Sequence, residues 1–220
     1  MTEEIRPKGK LEKIVDEHGK KIFVAGIALV LLVGGWAWYS MKYVPQKQEE
    51  ANAALFMAQR YFEKDSIGAV LNGTADDLGV LDIADEYGST KAGHLAHYYA
   101  GRTYMKEGKF DEAIEHLEKT NFSDELMAPM TKALIGDCYS ELEQFETAAD
   151  YYWEAATMRD NEYSAPRCYM KAATVYEKLG NWDQALKAYN AIKNNYAESD
   201  LAKDIKKYIS RAETKLQVQG

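Results

Sequence analysis

The sequence predicts an all-α protein: a single N-terminal transmembrane helix followed by an α-solenoid of paired helices that ends in a C-terminal capping helix. Three observations support this prediction. Residues 22–41 form an uncharged, mostly apolar run, a pattern of small and aromatic residues recurs at intervals of 35 and 37 residues, and an amphipathic segment follows the last copy.

The apolar run, IFVAGIALVLLVGGWAWYSM, has lysines on both sides. As an α-helix it spans about 30 Å, which matches the hydrocarbon core of a bilayer. Trp36, Trp38 and Tyr39 stand near its end, where a signal peptidase would require small residues and a membrane interface favours aromatic ones. We therefore predict a membrane anchor rather than a cleaved signal peptide.

The distribution of basic residues predicts the orientation of this anchor, because positive residues favour the cytoplasmic side. It predicts a cytosolic tail at 1–21, a juxtamembrane linker at 42–50 and an extracytoplasmic domain beyond. That domain would lie in the periplasm, with the anchor in a bacterial inner membrane, or in the lumen of an organelle. The basic residues before the run are Arg6, Lys8, Lys10, Lys13, Lys20 and Lys21, and those soon after it are Lys42 and Lys47.

The charge of the domain limits its partners. The chain has 27 Lys and Arg against 35 Asp and Glu, and 20 against 30 remain after the tail and Lys42 are removed. A domain with a net charge near −10 repels nucleic acid, so we exclude that class of partner. The remaining length of about 175 residues suits one domain with its own core.

The residues at 51–93 are predicted to form a degenerate N-terminal helical repeat. Its helices, Ala51–Glu63 and Val80–Tyr87, are joined by residues 66–79, whose glycines prevent a continuous helix. The residues of its first helix that we expect to face the core are Ala53, Leu55, Phe56, Ala58, Tyr61 and Phe62.

Three copies of one pattern follow within 94–198. In each copy a small residue precedes a tyrosine, and an aromatic residue, an alanine and a bulky residue come after it at constant spacing. The copies are Gly101, Tyr104, Phe110, Ala113 and Leu117; Gly136, Tyr139, Phe145, Ala148 and Tyr152; and Ala173, Tyr176, Trp182, Ala185 and Tyr189.

This pattern resembles the tetratricopeptide repeat (TPR), a helix–turn–helix unit of about 34 residues. The small residues would let the two helices of a unit, A and B, approach closely, and the aromatic residues would fill the wedge between them. Gly108 and Gly180 occupy the turn, where a left-handed conformation can end helix A. Glu143 stands at that position in the second copy, a departure expected to cost about 1 kcal/mol.

A capping helix is predicted at 199–220, because the end of a repeat array needs a polar outer face. Ser199 can cap a helix that begins at Asp200. The apolar stripe of this helix consists of Leu201, Ile205, Tyr208, Ile209, Ala212 and Leu216.

The two cysteines, Cys138 and Cys168, could pair in an oxidising compartment. They fall in the A helices of neighbouring units, with an axial offset of about 10 Å, which is beyond the reach of a disulfide. We predict that both thiols are free.

The sequence predicts a protein that is not an enzyme and binds no cofactor or metal. His94 and His97 lie three apart on one helix, but no third His or Cys stands at ligand spacing. There is no phosphate-binding glycine loop, nucleophile elbow or HExxH motif.

A short helical solenoid offers a concave surface lined by its A helices, and we predict that this surface binds other proteins. Tyr, Met and Arg suit an adaptable binding surface, although a plain solvated helix face has the same composition. We do not expect a Lys/Asn clamp for C-terminal carboxylates, because Asp137 and Glu141 accompany Arg102. The candidate groove residues are Leu95, Tyr98, Arg102, Met105, Met130, Asp137, Arg167 and Met170.

The whole layout resembles the YfgM-like ancillary subunits of the bacterial Sec translocon, in particular those of Bacteroidetes-type bacteria. The similarity is clearest in LDIADEYGSTKAGHLAHYYAG (81–101) and LAKDIKKYISRAE (201–213). It implies a membrane-anchored adaptor associated with a SecYEG-like translocon and with periplasmic chaperones or translocating polypeptides. Two alternatives stay open, a scaffold of another envelope assembly or secretion machine and a membrane-tethered regulator of a cytosolic factor.

Overall fold

The computed structural model describes residues 10–219, with side chains from His18 onward apart from those of Ile22 and Gln219. The described residues form helices and loops without a strand, which confirms the all-α prediction. The chain divides into two units, residues 1–49 and residues 50–220.

The first unit contains helix α1, Lys10–Trp38, which holds most of the apolar run. Its apolar side chains are exposed, and Leu31 and Trp36 leave 70% and 71% of their surface uncovered. The helix is long and apolar enough to cross a membrane, so it is a candidate membrane span. Arg6 and Lys8 of the predicted cytosolic tail lie outside the described residues.

A π-helical turn at Tyr39–Tyr43 comes between α1 and helix α2, Val44–Glu63. Pro45 gives a reason for this turn, because proline has no amide hydrogen to donate to a carbonyl one turn earlier and a π turn accommodates the missing bond. Residues 42–50, predicted as a linker, are therefore helical. The helix predicted to begin at Ala51 begins at Val44.

In the second unit, α2 packs with two short helices, α3 (Ile67–Asn72) and α4 (Val80–Tyr87). Helix α3 lies inside the connecting segment for which no helix was predicted, and Gly73 caps its C-terminus. Their common core consists of Ala51, Leu55, Ala58, Val70, Leu71, Val80, Ile83 and Ala84, with Tyr87, Ala92, Ala96 and Ala100.

Part of the predicted inner face of α2 is wrong. Ala53 and Phe56 are exposed, Phe56 by 57% of its surface. Successive residues of a helix are turned by about 100°, so the buried stripe through Leu55 and Ala58 directs both side chains away from the core. Ala54 packs against the core in their place. The other predicted members, Leu55, Ala58, Tyr61 and Phe62, are buried or half-buried.

Three helical hairpins follow, each with a helix A, a short turn and a helix B. Thr90 caps the first A helix by accepting a hydrogen bond of 3.0 Å from the amide of Gly93. The hairpins are α5 (Lys91–Glu107) with α6 (Phe110–Glu118), α7 (Met127–Glu141) with α8 (Phe145–Met158), and α9 (Ser164–Lys178) with α10 (Trp182–Asn195).

The turns of the three hairpins share a left-handed residue. Gly108 and Gly180 have φ angles of 73° and 71°, as the sequence predicts, and Glu143 adopts the same conformation with a φ of 58°. A residue with a Cβ is strained in this region. The central hairpin therefore contains a local strain that its neighbours avoid.

Close approach of helices A and B depends on the small residues of the repeat pattern. A Cβ on Gly101 would lie 2.6 Å from Cγ of Leu117, and one on Gly136 would lie 2.8 Å from the ring of Tyr152. Ala113 and Ala148, which face these glycines from helix B, and the equivalent Ala185 of the third unit are fully buried. In the first two units the bulky residue therefore closes over the small residue of its own helix A.

The cap begins with a 3₁₀ turn, Asp200–Asp204, and continues as helix α11, Ile205–Gln219. Ser199 caps it as predicted, although the first turn is 3₁₀ rather than α-helical, and its hydroxyl accepts a hydrogen bond of 3.3 Å from the Leu201 amide. The predicted stripe faces the core of the third hairpin: Ile205, Ile209 and Ala212 are buried, and Leu201, Tyr208 and Leu216 are half-buried.

Cys138 and Cys168 are both free and buried, in agreement with the prediction. Burial raises the pKa of Cys138 to about 12 and that of Cys168 to about 11. Both side chains are therefore neutral thiols at physiological pH and pack as small apolar groups.

Candidate functional site

A pocket of about 200 Å³ opens between the A helices of the three hairpins, α5, α7 and α9. It lies on the face that the sequence predicts to be the binding surface. We call it the A-helix pocket, and its lining consists of Arg102, Met130, Ala133, Leu134, Asp137, Tyr163, Ser164, Arg167, Cys168 and Lys171.

Arg102 contributes a guanidinium group from α5. Its Nη1 donates a hydrogen bond of 2.9 Å to the hydroxyl of Tyr98, and its Cζ lies 5.8 Å from the centre of that ring. The ring of Phe62 lies 6.0 Å from the same carbon. Cation–π contacts of this kind orient a guanidinium and leave its remaining N–H donors available.

Arg167 contributes a second guanidinium from the first turns of α9. Its Nη1 donates a hydrogen bond of 2.6 Å to the carbonyl oxygen of Tyr163, and its Cζ lies 4.1 Å from the centre of the Tyr163 ring. Tyr163 itself is exposed by 54%. The arginine therefore lies over the tyrosine ring in a solvent-accessible position at the edge of the pocket.

Asp137 provides the negative charge of the pocket. Its Oδ1 accepts a hydrogen bond of 2.6 Å from the hydroxyl of Tyr152 and one of 2.5 Å from Nζ of Lys171. Burial, and then the nearby Asp137, raise the pKa of Tyr152, so the phenol stays protonated and can donate. Lys171 and Asp137 neutralise each other, and Asp137 is occupied within the protein.

The balance of charge in the pocket is therefore positive. Among the described residues, no carboxylate forms an ion pair with Arg102 or Arg167. Glu141, which the sequence placed in the same groove, is exposed and lies outside the pocket lining. Two guanidinium groups thus stand over an apolar wall of Met130, Ala133 and Leu134.

The structure brings together four of the predicted groove residues, Arg102, Met130, Asp137 and Arg167. The other four pack elsewhere because each A helix also contacts its own B helix and its neighbours. Tyr98 is only 8% exposed, beneath Arg102. The remaining three are half-buried: Leu95 packs against the N-terminal core, Met105 against the core between the first two hairpins, and Met170 against the C-terminal core.

Lys171 and Tyr163 were missed by the sequence prediction. Lys171 stands 34 residues after Asp137, which is one repeat length, and opposite charges at that spacing are a signal for contact between successive A helices. Tyr163 lies just before α9, and its stack with Arg167 four residues later follows from helical geometry.

Metal binding finds no support in the described residues, where no group of three or more His, Cys, Asp or Glu side chains could hold an ion. His94 and His97 do not face each other. Nδ1 of His94 lies 3.2 Å from the carbonyl oxygen of Lys119, and Nδ1 of His97 lies 3.1 Å from Nδ1 of His116.

Comparison with known proteins identifies two segments that match the tetratricopeptide repeat, residues 94–120 and residues 167–199. The first spans α5 and α6, and the second runs from α9 through α10 to the start of the cap. No curated protein matches the chain in sequence. The chain thus contains tetratricopeptide repeats, which generally act as non-catalytic scaffolds for protein–protein interaction.

Proposed function

Because the chain carries tetratricopeptide repeats and a helix able to cross a membrane, we propose that it is a membrane-anchored adaptor that binds other proteins through the A-helix pocket. The observation that carries this proposal is the pair of guanidinium groups, Arg102 and Arg167, neither of which forms an ion pair with a carboxylate of the described residues. Their positions on the first and third A helices, on either side of α7, suit a partner segment that runs across the array.

The chemistry of the pocket specifies that segment. An acidic side chain would meet the guanidinium groups, and a flanking apolar residue would cover Met130 and Leu134. The domain as a whole has 30 acidic and 20 basic residues beyond Lys42, so its net charge repels an acidic partner and a local positive site would attract one. This contrast would make the pocket selective for an acidic segment of a partner over other parts of the domain surface.

A finer proposal concerns the location and the partner complex. The excess of basic residues before the apolar helix supports a cytosolic N-terminus and a repeat domain on the opposite side of a bacterial inner membrane. The similarity of layout to YfgM-like subunits supports an ancillary role at a SecYEG-like translocon, with chaperones or emerging polypeptides as partners. A scaffold of another envelope machine and a regulator of a cytosolic factor remain the alternatives.

Crosslinking in membranes tests the pocket and the partner together. The full chain would be crosslinked in intact cells, purified in mild detergent and analysed by mass spectrometry. Arg167→Glu should reduce the yield of crosslinked partner about tenfold, which corresponds to a loss of about 1.4 kcal/mol. Lys193→Glu, an equal charge reversal at an exposed position of α10, serves as the control and should leave the yield unchanged.

The identity of the crosslinked proteins separates the finer proposals. Translocon subunits would support the role in protein export, and outer-membrane assembly factors or a cytosolic regulator would support an alternative. Equal yields from both charge reversals would show that the A-helix pocket is not the binding site.

Orientation has its own test, cysteine accessibility in intact cells. A probe cysteine at residue 219 should react with an impermeant reagent, and one at residue 5 should not. The opposite labelling pattern would refute the proposed topology.

A further inference from the structure

We propose that the first hairpin contains an acid-sensitive clasp, a hydrogen-bonded pair of histidines that holds α5 against α6 at neutral pH and releases it on acidification. The pair consists of His97 on α5 and His116 on α6. This inference concerns the hairpin itself and does not depend on what the A-helix pocket binds.

The geometry of the pair admits one hydrogen between the rings. Nδ1 of His97 and Nδ1 of His116 are 3.1 Å apart, and the ring centres are 5.3 Å apart. One nitrogen must donate and the other must accept, so at least one ring is neutral. If both rings are imidazolium, each Nδ1 carries a hydrogen, and the contact becomes a repulsion between a buried and a half-buried cation.

His97 lies in a site that opposes protonation. Only 9% of its surface is exposed. Burial, followed by the charges of His116, Lys119 and His94, lowers the pKa of His97 to about 4, and Asp85 from α4 opposes this shift.

His116 has a similar environment. Burial and then Lys119 lower the pKa of His116, against the opposing effects of Glu115 on the same helix and Asp85 on α4. The ring of Tyr104 lies 5.5 Å from its ring centre and covers it from α5.

The direction of the pH effect follows from these lowered values. Between pH 6.5 and about 4 the unfolded chain binds more protons at His97 than the folded chain does, so the stability of the hairpin falls as the pH falls through this range. A first added proton leaves one neutral ring that can still accept the hydrogen bond. A second removes the acceptor and opens the clasp.

Within residues 50–220 the histidines are confined to the first hairpin, so the acid response should be local and the third hairpin serves as an internal control. Three of the four histidines in the chain lie in α5 and α6, whereas α9 and α10 contain none. Because α5 also carries Arg102, release of α5 from α6 would loosen one wall of the A-helix pocket. Acidification would therefore loosen the first hairpin, and α9 and α10, which contain no histidine, lack this response.

Hydrogen exchange tests this inference on the full chain in detergent micelles. Protection factors would be measured at pH 7.0 and pH 5.0 and corrected for the intrinsic pH dependence of exchange. From the linkage of a histidine with a pKa near 4, we expect protection in α5 and α6 to fall about tenfold, with little change in α9 and α10.

Variants separate the clasp from general acid sensitivity. The double variant His97→Leu with His116→Leu should show equal protection at both pH values, and His94→Gln, which removes the third histidine, should retain the wild-type response. Equal loss of protection in α9 and α10, or a response that persists in the double variant, would overturn the proposal. An NMR titration of the wild-type histidines provides a test that needs no variant, and a normal pKa near 6.5 for both His97 and His116 would also overturn it.

Discussion

Glu143 adopts a left-handed conformation with a φ of 58° in the turn of the central hairpin, where Gly108 and Gly180 serve the flanking hairpins. A side chain in this conformation costs about 1 kcal/mol relative to glycine. We therefore expect Glu143→Gly to raise the free energy of unfolding by about 0.5–1 kcal/mol, although glycine also increases the entropy of the unfolded chain. Urea denaturation followed by circular dichroism would measure the change.

Glu146→Gly is the matched control for that substitution. Glu146 is exposed in the first turn of α8, where its backbone is helical, so the same exchange should destabilise the protein by up to about 1 kcal/mol. If both variants destabilise equally, the strain attributed to Glu143 is absent.

Single residues also show what the sequence could predict about the site. The turn positions were predictable because left-handed backbone is a local demand that glycine meets. The groove positions were harder, because Tyr98 and Arg102 lie one turn apart on α5 and yet one is buried beneath the other. A count of helical positions gives the direction of a side chain, but long side chains from neighbouring helices decide which of them stays accessible.

Ion pairs one repeat apart link the second hairpin to the third and the third hairpin to the cap. Asp137 on α7 pairs with Lys171 on α9, and Glu177 on α9 pairs with Arg211 on the capping helix, both at a separation of 34 residues. Each carboxylate also accepts a hydrogen bond from a tyrosine of its own B helix, Tyr152 or Tyr189 in turn. The same arrangement thus joins helix A to helix B and one unit to the next.

Glu177→Gln tests this connection at the cap. The Glu177 side chain is only 15% exposed, and its oxygens accept hydrogen bonds of 2.6 and 2.7 Å from Nη2 of Arg211. Loss of the charge should lower the free energy of unfolding by about 1 kcal/mol, a value that allows for solvent screening at the half-exposed arginine. Hydrogen exchange should become faster throughout α11. Calorimetry and hydrogen exchange of the full chain would measure both effects.

Asp204→Asn provides the control at the same end of the molecule. Its ion pair with Lys207 is exposed on both sides, by 74% and 60%, so its loss should change stability by less than about 0.5 kcal/mol. If α11 exchanges at the wild-type rate in Glu177→Gln, packing of the apolar stripe alone holds the cap.

At the scale of elements, the repeat pattern predicted the paired helices because each copy supplies its own turn and its own close contact. It could not predict α3, since the six residues of this helix include Gly68 and are too few for a periodic signal. It also could not predict the contact of His97 with His116, because 19 residues and a turn separate them and only the crossing of α5 and α6 brings them together.

The second unit is stabilised by three adjoining cores rather than by one centre. Tyr99 and Tyr104 pack against both the N-terminal core and the core between the first two hairpins, and Tyr139 packs against the latter and the C-terminal core. In such an array the stability of each unit depends on its contacts with its neighbours, so a substitution that destabilises the central hairpin also destabilises the units on both sides. Substitutions on the surface of the A-helix pocket are not expected to destabilise the neighbouring units.

Ala148→Trp should therefore affect the whole unit. Ala148 is fully buried in α8, opposite Gly136. An indole there would overpack this contact and destabilise the protein by about 1–3 kcal/mol or more. We expect a lower melting temperature and a parallel loss of every partner interaction, measured by calorimetry and by crosslinking. Met170→Ala should also lower the melting temperature, because Met170 is half-buried against the C-terminal core.

Arg102→Glu is the counterpart that separates binding from stability. Arg102 packs on Tyr98 and Phe62 at the surface, so its reversal should change stability by no more than about 1 kcal/mol. Partner crosslinking should nevertheless fall as far as in Ala148→Trp. If Arg102→Glu binds partners at the wild-type level while Ala148→Trp does not, the repeats are needed for binding but the A-helix pocket is not the contact. The exposed Phe56 on α2 would then be the next position to substitute.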